Sequence, residues 1–279
     1  MKLRKALEKA KQTRQEVSRL EMPGTTPETP GGEEGKKSGN GWKPPVYSQS
    51  MHVELNTKTL LENRCICIEP ESMEIDCYKL LWTKLQHLTQ HKGWNSVMIT
   101  SALPGEGKTL TAINLALTFS KAFNQTVMLV DCDLRNQNIN KVLGLQSHAG
   151  LIEYLIDGRP LQESIIWPGI DKLTLMSGQR TIQNSTELLG SPRMQVLVKE
   201  MKSRYDDRYV LFDVPPLLVG ADALALAPYI DCIILVVDEG RTSTKDVQKA
   251  VEMLPKEKFI GFVMNRQKSA MTEYYGYYK

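Results

Sequence analysis

The chain has 279 residues, of which 41% are hydrophobic, enough for one large domain with a real core plus appendages. A formal net charge of +3 is too mild to argue for nucleic acid, so none is expected as a partner. With no apolar run of about 18 residues, and no apolar stretch behind the first charges, neither a membrane span nor a signal peptide is predicted.

Residues 1–21 are basic. Leu3, Leu7, Ala10, Val17 and Leu20 recur at roughly every 3.5 residues, with Arg14 interrupting, which predicts an amphipathic helix. Two readings stay open: a helix that docks on a partner or on anionic lipid headgroups, and a solvated, half-formed one. Residues 22–50 are dominated by Pro, Gly, Ser and charge and cannot bury enough surface to offset ordering, so a flexible linker is predicted. The globular domain is expected over 51–268. Leu55 to Ile68 leads into it, with Cys65 and Cys67 read as two positions facing the same way on a strand. The five cysteines are scattered and lack Cys-x-x-Cys spacing, so zinc is not expected; reduced thiols in a cytoplasmic protein are. A helix is predicted over 72–89, with Met73, Tyr78, Leu81, Leu85 and Leu88 on one face.

The chain is organised around Val97 to Thr111 (VMITSALPGEGKTLT). An apolar run enters a loop, Ala102, Gly107, Lys108 and Thr109 fit the phosphate-loop pattern, and a helix follows over Leu110 to Ser120. A phosphate needs several backbone N–H groups aimed at one point, and small residues allow the backbone to wrap that tightly. The helix adds its unpaired N–H groups and the positive end of its dipole. Pro104, Gly105, Glu106, Gly107, Lys108, Thr109 and Leu110 are therefore the expected nucleotide-binding residues, with Lys108 on the β- and γ-phosphates and the Thr109 hydroxyl on magnesium.

Further apolar runs occur at Thr126–Val130, Lys172–Met176, Tyr209–Phe212, Cys232–Val237 and Phe259–Met264, with helical patterns between most of them. Short runs apolar on both faces are what strands buried in a parallel sheet require, and the alternation predicts an α/β, doubly wound, mostly parallel sheet. Ligands in such sheets sit at the carboxyl ends of the strands. There the second run ends in Asp131 and Asp133, read as two carboxylates on one side of an extended chain, followed by Arg135. The run YVLF ends in Asp213, before Pro215 and Pro216. Asp213 is the candidate magnesium ligand of the Walker-B type. Asp131 and Asp133 are candidates both for the metal and for the base that takes a proton from an attacking hydroxyl; the spacing does not separate those roles. Asn265 and Arg266 close the last strand and complete the candidate nucleotide-binding residues.

ALPGEGKT, LVDCDLR and FDVPP followed by Asp222-Ala223 together resemble the bacterial tyrosine autokinases of exopolysaccharide and capsule assembly, P-loop proteins related to the MinD and ParA ATPases. The stretch NSTELL, Asn184 to Leu189, is similar to a segment of that family, and the match runs from about Asn63 to the end. The resemblance implies a kinase using ATP and Mg2+ that phosphorylates its own tail. Lys108 and Thr109 are implied as phosphate and magnesium contacts, Asp131 and Asp133 as the acids of the second motif, and Asp213 as the Walker-B acid. In related P-loop proteins an Asn at the position of Asn265 can read adenine. It further implies a membrane-embedded chain-length regulator, on a separate chain since no span is predicted here, a homo-oligomer, and a tyrosine phosphatase as a further partner. The implied location is cytoplasmic, at the inner face of the membrane. Two departures stand out. Leu103 occupies the place of the early loop lysine of MinD and ParA. The family's Glu-x-x-Arg-x-x-Arg motif is matched by Asp76, Lys79 and Trp82, which leaves ring assembly through that contact unsupported.

Four of the ten tyrosines, Tyr274, Tyr275, Tyr277 and Tyr278, fall within the last six residues of the tail, 269–279. A packed segment would mix in Leu, Ile or Phe. About nine residues from Asn265 span up to roughly 30 Å, enough to reach the chain's own site or a neighbour's. Several phosphates there would repel one another and the acidic site. Two other classes remain as alternatives: a MinD/ParA-type ATPase that positions or assembles other proteins without tyrosine phosphorylation, and a non-enzymatic assembly subunit.

Overall fold

Apolar side chains on both faces of the predicted strands bury them in one eight-stranded sheet. The computed structural model describes residues 50–267, apart from 70–72, 123, 147, 179 and 206. The expected helix over 1–21, the linker up to residue 49 and the tyrosine tail lie outside the described residues.

The strands are β1 (Met51–His52), β2 (Ser96–Ser101), β3 (Thr126–Asp131), β4 (Ile166–Trp167), β5 (Leu173–Met176), β6 (Arg208–Asp213), β7 (Cys232–Asp238) and β8 (Phe259–Asn265). Their order is β1-β4-β5-β3-β6-β2-β7-β8. Neighbours from β5 to β8 run parallel; β4 is antiparallel to β5, and β1 parallel to β4. The helices are α1 (Thr57–Glu62), α2 (Met73–Gln90), α3 (Lys108–Ser120), α4 (Asn138–Leu143), α5 (Leu151–Leu155), α6 (Ser185–Leu189), α7 (Pro192–Ser203), α8 (Asp222–Leu226) and α9 (Thr244–Met253).

The period of two along each strand divides the core in two. Met98, Met128, Val210, Phe212, Ile233 and Leu235 pack against α5 to α9. The alternate positions Val97, Ile99, Val127, Leu129, Leu211 and Ile234 pack against α1 to α4. Two of the covering helices start on clear signals. The Ser191 hydroxyl accepts from the Met194 N–H at 3.2 Å with Pro192 in the first turn, and the Ser243 hydroxyl accepts from the Asp246 N–H at 3.1 Å. Each cap contributes about 1 kcal/mol.

Three expectations change. Cys65 and Cys67 are not on a strand: Cys67 lies in a 3-10 turn, Ile66–Ile68, fixed by the Asn114 carboxamide oxygen, which accepts from the Cys67 N–H at 3.0 Å. The last strand is not buried on both faces. It is the sheet's edge, and Phe262 and Met264 are about half exposed. The helix after the phosphate loop starts at Lys108, two residues earlier than predicted, because Gly107 makes the turn into it.

Candidate active site

The order of the strands sets the site. β2 lies between β6 and β7, and β6 lies between β2 and β3, so the carboxyl ends of β2, β3 and β6 adjoin. Register pairs Asp213 with Ile99 on one side and with Asp131 on the other.

The loop that leaves β2 is held from three directions. The Ser101 and Ala102 carbonyls accept from the N–H groups of Leu217 and Leu218, at 2.8 and 3.1 Å. The Glu106 carboxylate folds inward, accepting from the Leu103 N–H at 2.8 Å and from the Thr242 hydroxyl. The Asn265 amide donates to the Glu106 carbonyl at 2.8 Å. Gly107 then turns with φ +93°, a left-handed conformation that costs glycine little. Lys108 and Thr109 follow in the first turn of α3.

The acids take different places. Lys108 Nζ donates to Asp133 Oδ2 at 2.9 Å and to Asp213 Oδ1 at 3.3 Å, and the Thr109 hydroxyl donates to Asp213 Oδ2 at 2.6 Å. Asp131 makes no such contact. It is fully buried, and its carboxylate accepts from the N–H groups of Asp133 and Ile139, at 3.1 and 3.0 Å, and from the Ser177 hydroxyl at 3.3 Å. The expectation that Asp131 and Asp133 work from one side of an extended chain is therefore corrected. β3 ends at Asp131, and the chain turns before Asp133. Asp133 faces the lysine, while Asp131 fastens the start of α4.

Electrostatics follow from burial. Burial would depress the Lys108 ammonium, but Asp213 and Asp133 outweigh it and hold its pKa above the usual range. Burial, reinforced by the Asp213 charge, pushes the Asp131 carboxyl up to about 7. Asp213 is also raised by burial, against the opposing pull of Lys108 and the Thr109 hydroxyl.

Above these groups lies a cleft of about 360 Å³, lined by Pro104, Gly105, Gly107, Lys108, Thr109 and Leu110 on one wall and by Asp133, Arg135 and the Pro215–Gly220 loop on the other. Of the remaining expected residues, Glu106 turns its carboxylate into the loop. Asn265 uses its amide on Glu106 and its carbonyl on the Arg266 N–H at 2.9 Å, so its side chain serves the loop in place of an open base site. Arg266 pairs with Asp238. Among the described residues no three His, Cys, Asp or Glu converge as a self-sufficient metal cage. The donor set of Thr109 and Asp213 nevertheless fits Mg2+, which commonly takes one or two protein oxygens and completes its shell with phosphate and water. Sequence reasoning quoted Ser185, Arg135 and Asp222 within motifs but gave none of them a role. The Ser185 hydroxyl donates to Asp222, and Arg135 binds both.

A mostly parallel sheet, a phosphate loop opening a central helix, and acids at the two adjacent strand ends define a P-loop NTPase. Residues 94–274 match the ParA family model, described as NUBPL iron-transfer P-loop NTPase. The chain is 34% identical over 231 residues to tyrosine-protein kinase YwqD of Bacillus subtilis, a match covering 82% of this chain and 96% of the relative. It is similar to the VpsO kinase domain, at 29% identity and a TM-score of 0.62, over 70% of this chain and 97% of that one. The kinase domain of the Escherichia coli tyrosine kinase ETK shares the fold, at 24% identity and a TM-score of 0.66, over 81% of this chain and 93% of that one. The chain belongs to the bacterial tyrosine-protein kinases within the ParA-like P-loop NTPases. It is a protein-tyrosine kinase, and these likenesses favour that reading over a positioning ATPase.

Proposed function

We propose that the cleft binds ATP with Mg2+ and transfers the γ-phosphoryl group to Tyr274, Tyr275, Tyr277 and Tyr278 of the tail. The observation that carries this is the sharing of one buried ammonium, Lys108, between Asp133 and Asp213 directly under the phosphate loop. A triphosphate in the loop competes for that ammonium and releases Asp133. The freed carboxylate accepts the phenol proton as the tyrosine oxygen bonds to the γ-phosphorus. The bond from that phosphorus to its bridging oxygen breaks, and ADP leaves. Thr109 and Asp213 hold Mg2+, which when bound offsets phosphate charge. Asp131 orders the strand end behind them.

The domain boundaries that accompany this reading are a basic helix over 1–21, a linker over 22–50, the kinase domain over 51–268 and the substrate tail over 269–279. No helix among the described residues is long and apolar enough to cross a membrane. The reading, following the family resemblance, also includes a membrane-embedded chain-length regulator on a separate chain, a place at the inner face of the cytoplasmic membrane, self-association, a phosphatase that resets the tail, and control of exopolysaccharide or capsule synthesis. The kinase relatives support the kinase part of this reading.

The test is incubation of the full chain with Mg2+ and ATP, with and without the regulator's cytoplasmic segment, and mapping of phosphosites by mass spectrometry beside Lys108→Met. Phosphate on the tail tyrosines, absent from the variant, is expected. ATP turnover with no phosphotyrosine, even with the activating segment, overturns the reading.

A further inference from the structure

Two cationic side chains line the cleft, Lys108 and Arg135. The charge of the lysine is already matched by Asp133 and Asp213. Arg135 is built differently. Its Nε donates to the Ser185 hydroxyl oxygen at 2.9 Å and lies 3.3 Å from Asp222 Oδ2. Asp222 is 1% exposed, and it also accepts from the Ser185 and Thr186 hydroxyls. One edge of the guanidinium is therefore fixed to a buried carboxylate that two hydroxyls keep in place. Among the described residues the terminal nitrogens take no protein hydrogen bond, although the side chain is 42% exposed on the wall of a phosphate cleft. A guanidinium held by Nε keeps its two terminal nitrogens aligned as a fork, the geometry that matches two oxygens of one phosphoryl group.

We propose that Arg135 is a catalytic residue that grips the γ-phosphoryl group during transfer, and that Ser185, Thr186 and Asp222 are its positioning residues. The inference rests on the kinase reading above. Charge on the moving phosphoryl oxygens is what such a fork stabilises, because the donors are already aimed and do not reorganise as the bond breaks. It also gives the NSTELL segment a physical role: Ser185 and Thr186 are the hydroxyls that clamp the holder of the arginine.

The experiment uses the full chain, Mg2+ and ATP. Phosphate transfer to a tyrosine peptide and to water is measured under saturating ATP, and affinity is measured for ADP and for a non-hydrolysable ATP analogue. For Arg135→Ala, kcat is expected to fall by about 10²–10³ for both acceptors, with ADP affinity within about twofold of wild type. Arg135→Lys should restore little, since a point charge cannot hold Ser185 and fork a phosphoryl group at once. Ser185→Ala should lower kcat by about tenfold, with KM for ATP unchanged. Loss of peptide phosphorylation with hydrolysis intact overturns the proposal and places Arg135 on the acceptor. Equal loss of ADP and analogue affinity, or full rescue by lysine, overturns it as well. A wild-type chain that, with the regulator's segment present, hydrolyses ATP without forming phosphotyrosine on its tail or the peptide defeats the proposed tail transfer alone, and the hydrolysis rate of Arg135→Ala then still decides this inference.

Discussion

The side-chain amide of Asn265 donates to the backbone carbonyl of Glu106 at 2.8 Å, joining the last strand to the phosphate loop across 159 residues of sequence. The contact also fills the space beside Gly107. A Cβ at that glycine would stand 2.1 Å from Asn265 Nδ2, at a backbone φ of +93°. Gly107→Ala therefore meets both a pinned side chain and a strained backbone. It should lose at least about 1–3 kcal/mol of stability and most ADP affinity. Adding Asn265→Ala removes the clash and leaves the strain, so thermal melts and ADP titration should show partial recovery in the double variant. Full recovery would mean that the left-handed turn costs nothing here.

Asp131 and Asp133 should separate when each is changed to asparagine. Both carboxylate oxygens of Asp131 accept backbone N–H groups, so an amide there sets a donor against a donor. Asp131→Asn should destabilise the fold by about 1–3 kcal/mol. Asp133→Asn removes the expected base and leaves Lys108 paired with Asp213; transfer should fall at least about 10²-fold, with the smaller change in melting temperature. Urea unfolding run beside a phosphotyrosine assay checks both, and a reversed order of stability loss would contradict the division of roles.

Much of this was readable in the sequence, for reasons that differ by residue. The apolar runs of β2, β3, β6 and β7 announce themselves because burial on both faces keeps at least three consecutive positions of each apolar. β1 and β4 have two residues each, too few for any period. Lys108, Thr109 and Asp213 could be placed because their spacing from a strand end fixes where they emerge. Asp131 and Asp133 could not be told apart, since what sets Asp131 aside is its contacts with the Ile139 N–H and the Ser177 hydroxyl, which no local pattern shows. The Arg135–Ser185–Asp222 group stayed hidden for the same reason: its members meet across 50 and 37 residues, and each alone is an ordinary polar residue.

The cysteines offer a check on the fold that is independent of nucleotide. Burial raises the Cys65 thiol to about 12, with Cys67 adding to it, and raises Cys67 to about 11 against the Thr118 hydroxyl and the Lys121 charge. Burial and the Asp231 charge raise Cys232 to about 12, and burial with the Asp131 charge raises Cys132 well above the ordinary thiol range. Cys77 is exposed. A thiolate reagent at pH 8 should therefore label one site rapidly in the native chain and the other four only on unfolding. Cys77→Ser should abolish the fast phase. Fast labelling of Cys67 would show instead that the turn over Ile66–Ile68 opens readily.

Asp231 ties the amino end of β2 to α7. Its carboxylate accepts from the N–H groups of Asn95 and Ser96, both at 3.0 Å, from the Ser96 hydroxyl at 2.8 Å, and from Lys202. Burial alone would raise its pKa, but Lys202 and those donors outweigh burial and hold it below the usual carboxylate range. A carboxyl whose pKa is lower in the folded than in the unfolded chain binds its proton more readily when unfolded. Its contribution to stability is thus complete above the unfolded value, near 4, and is lost as pH falls through the folded value. Asp231→Ala should cost about 2 kcal/mol at pH 7. The gap from wild type should narrow as pH drops below about 4. Unfolding midpoints measured from pH 7 down to about 3 give that gap directly. A difference that stays constant across the range would assign the loss to packing, and would leave the Lys202 pair with no measurable share in holding β2.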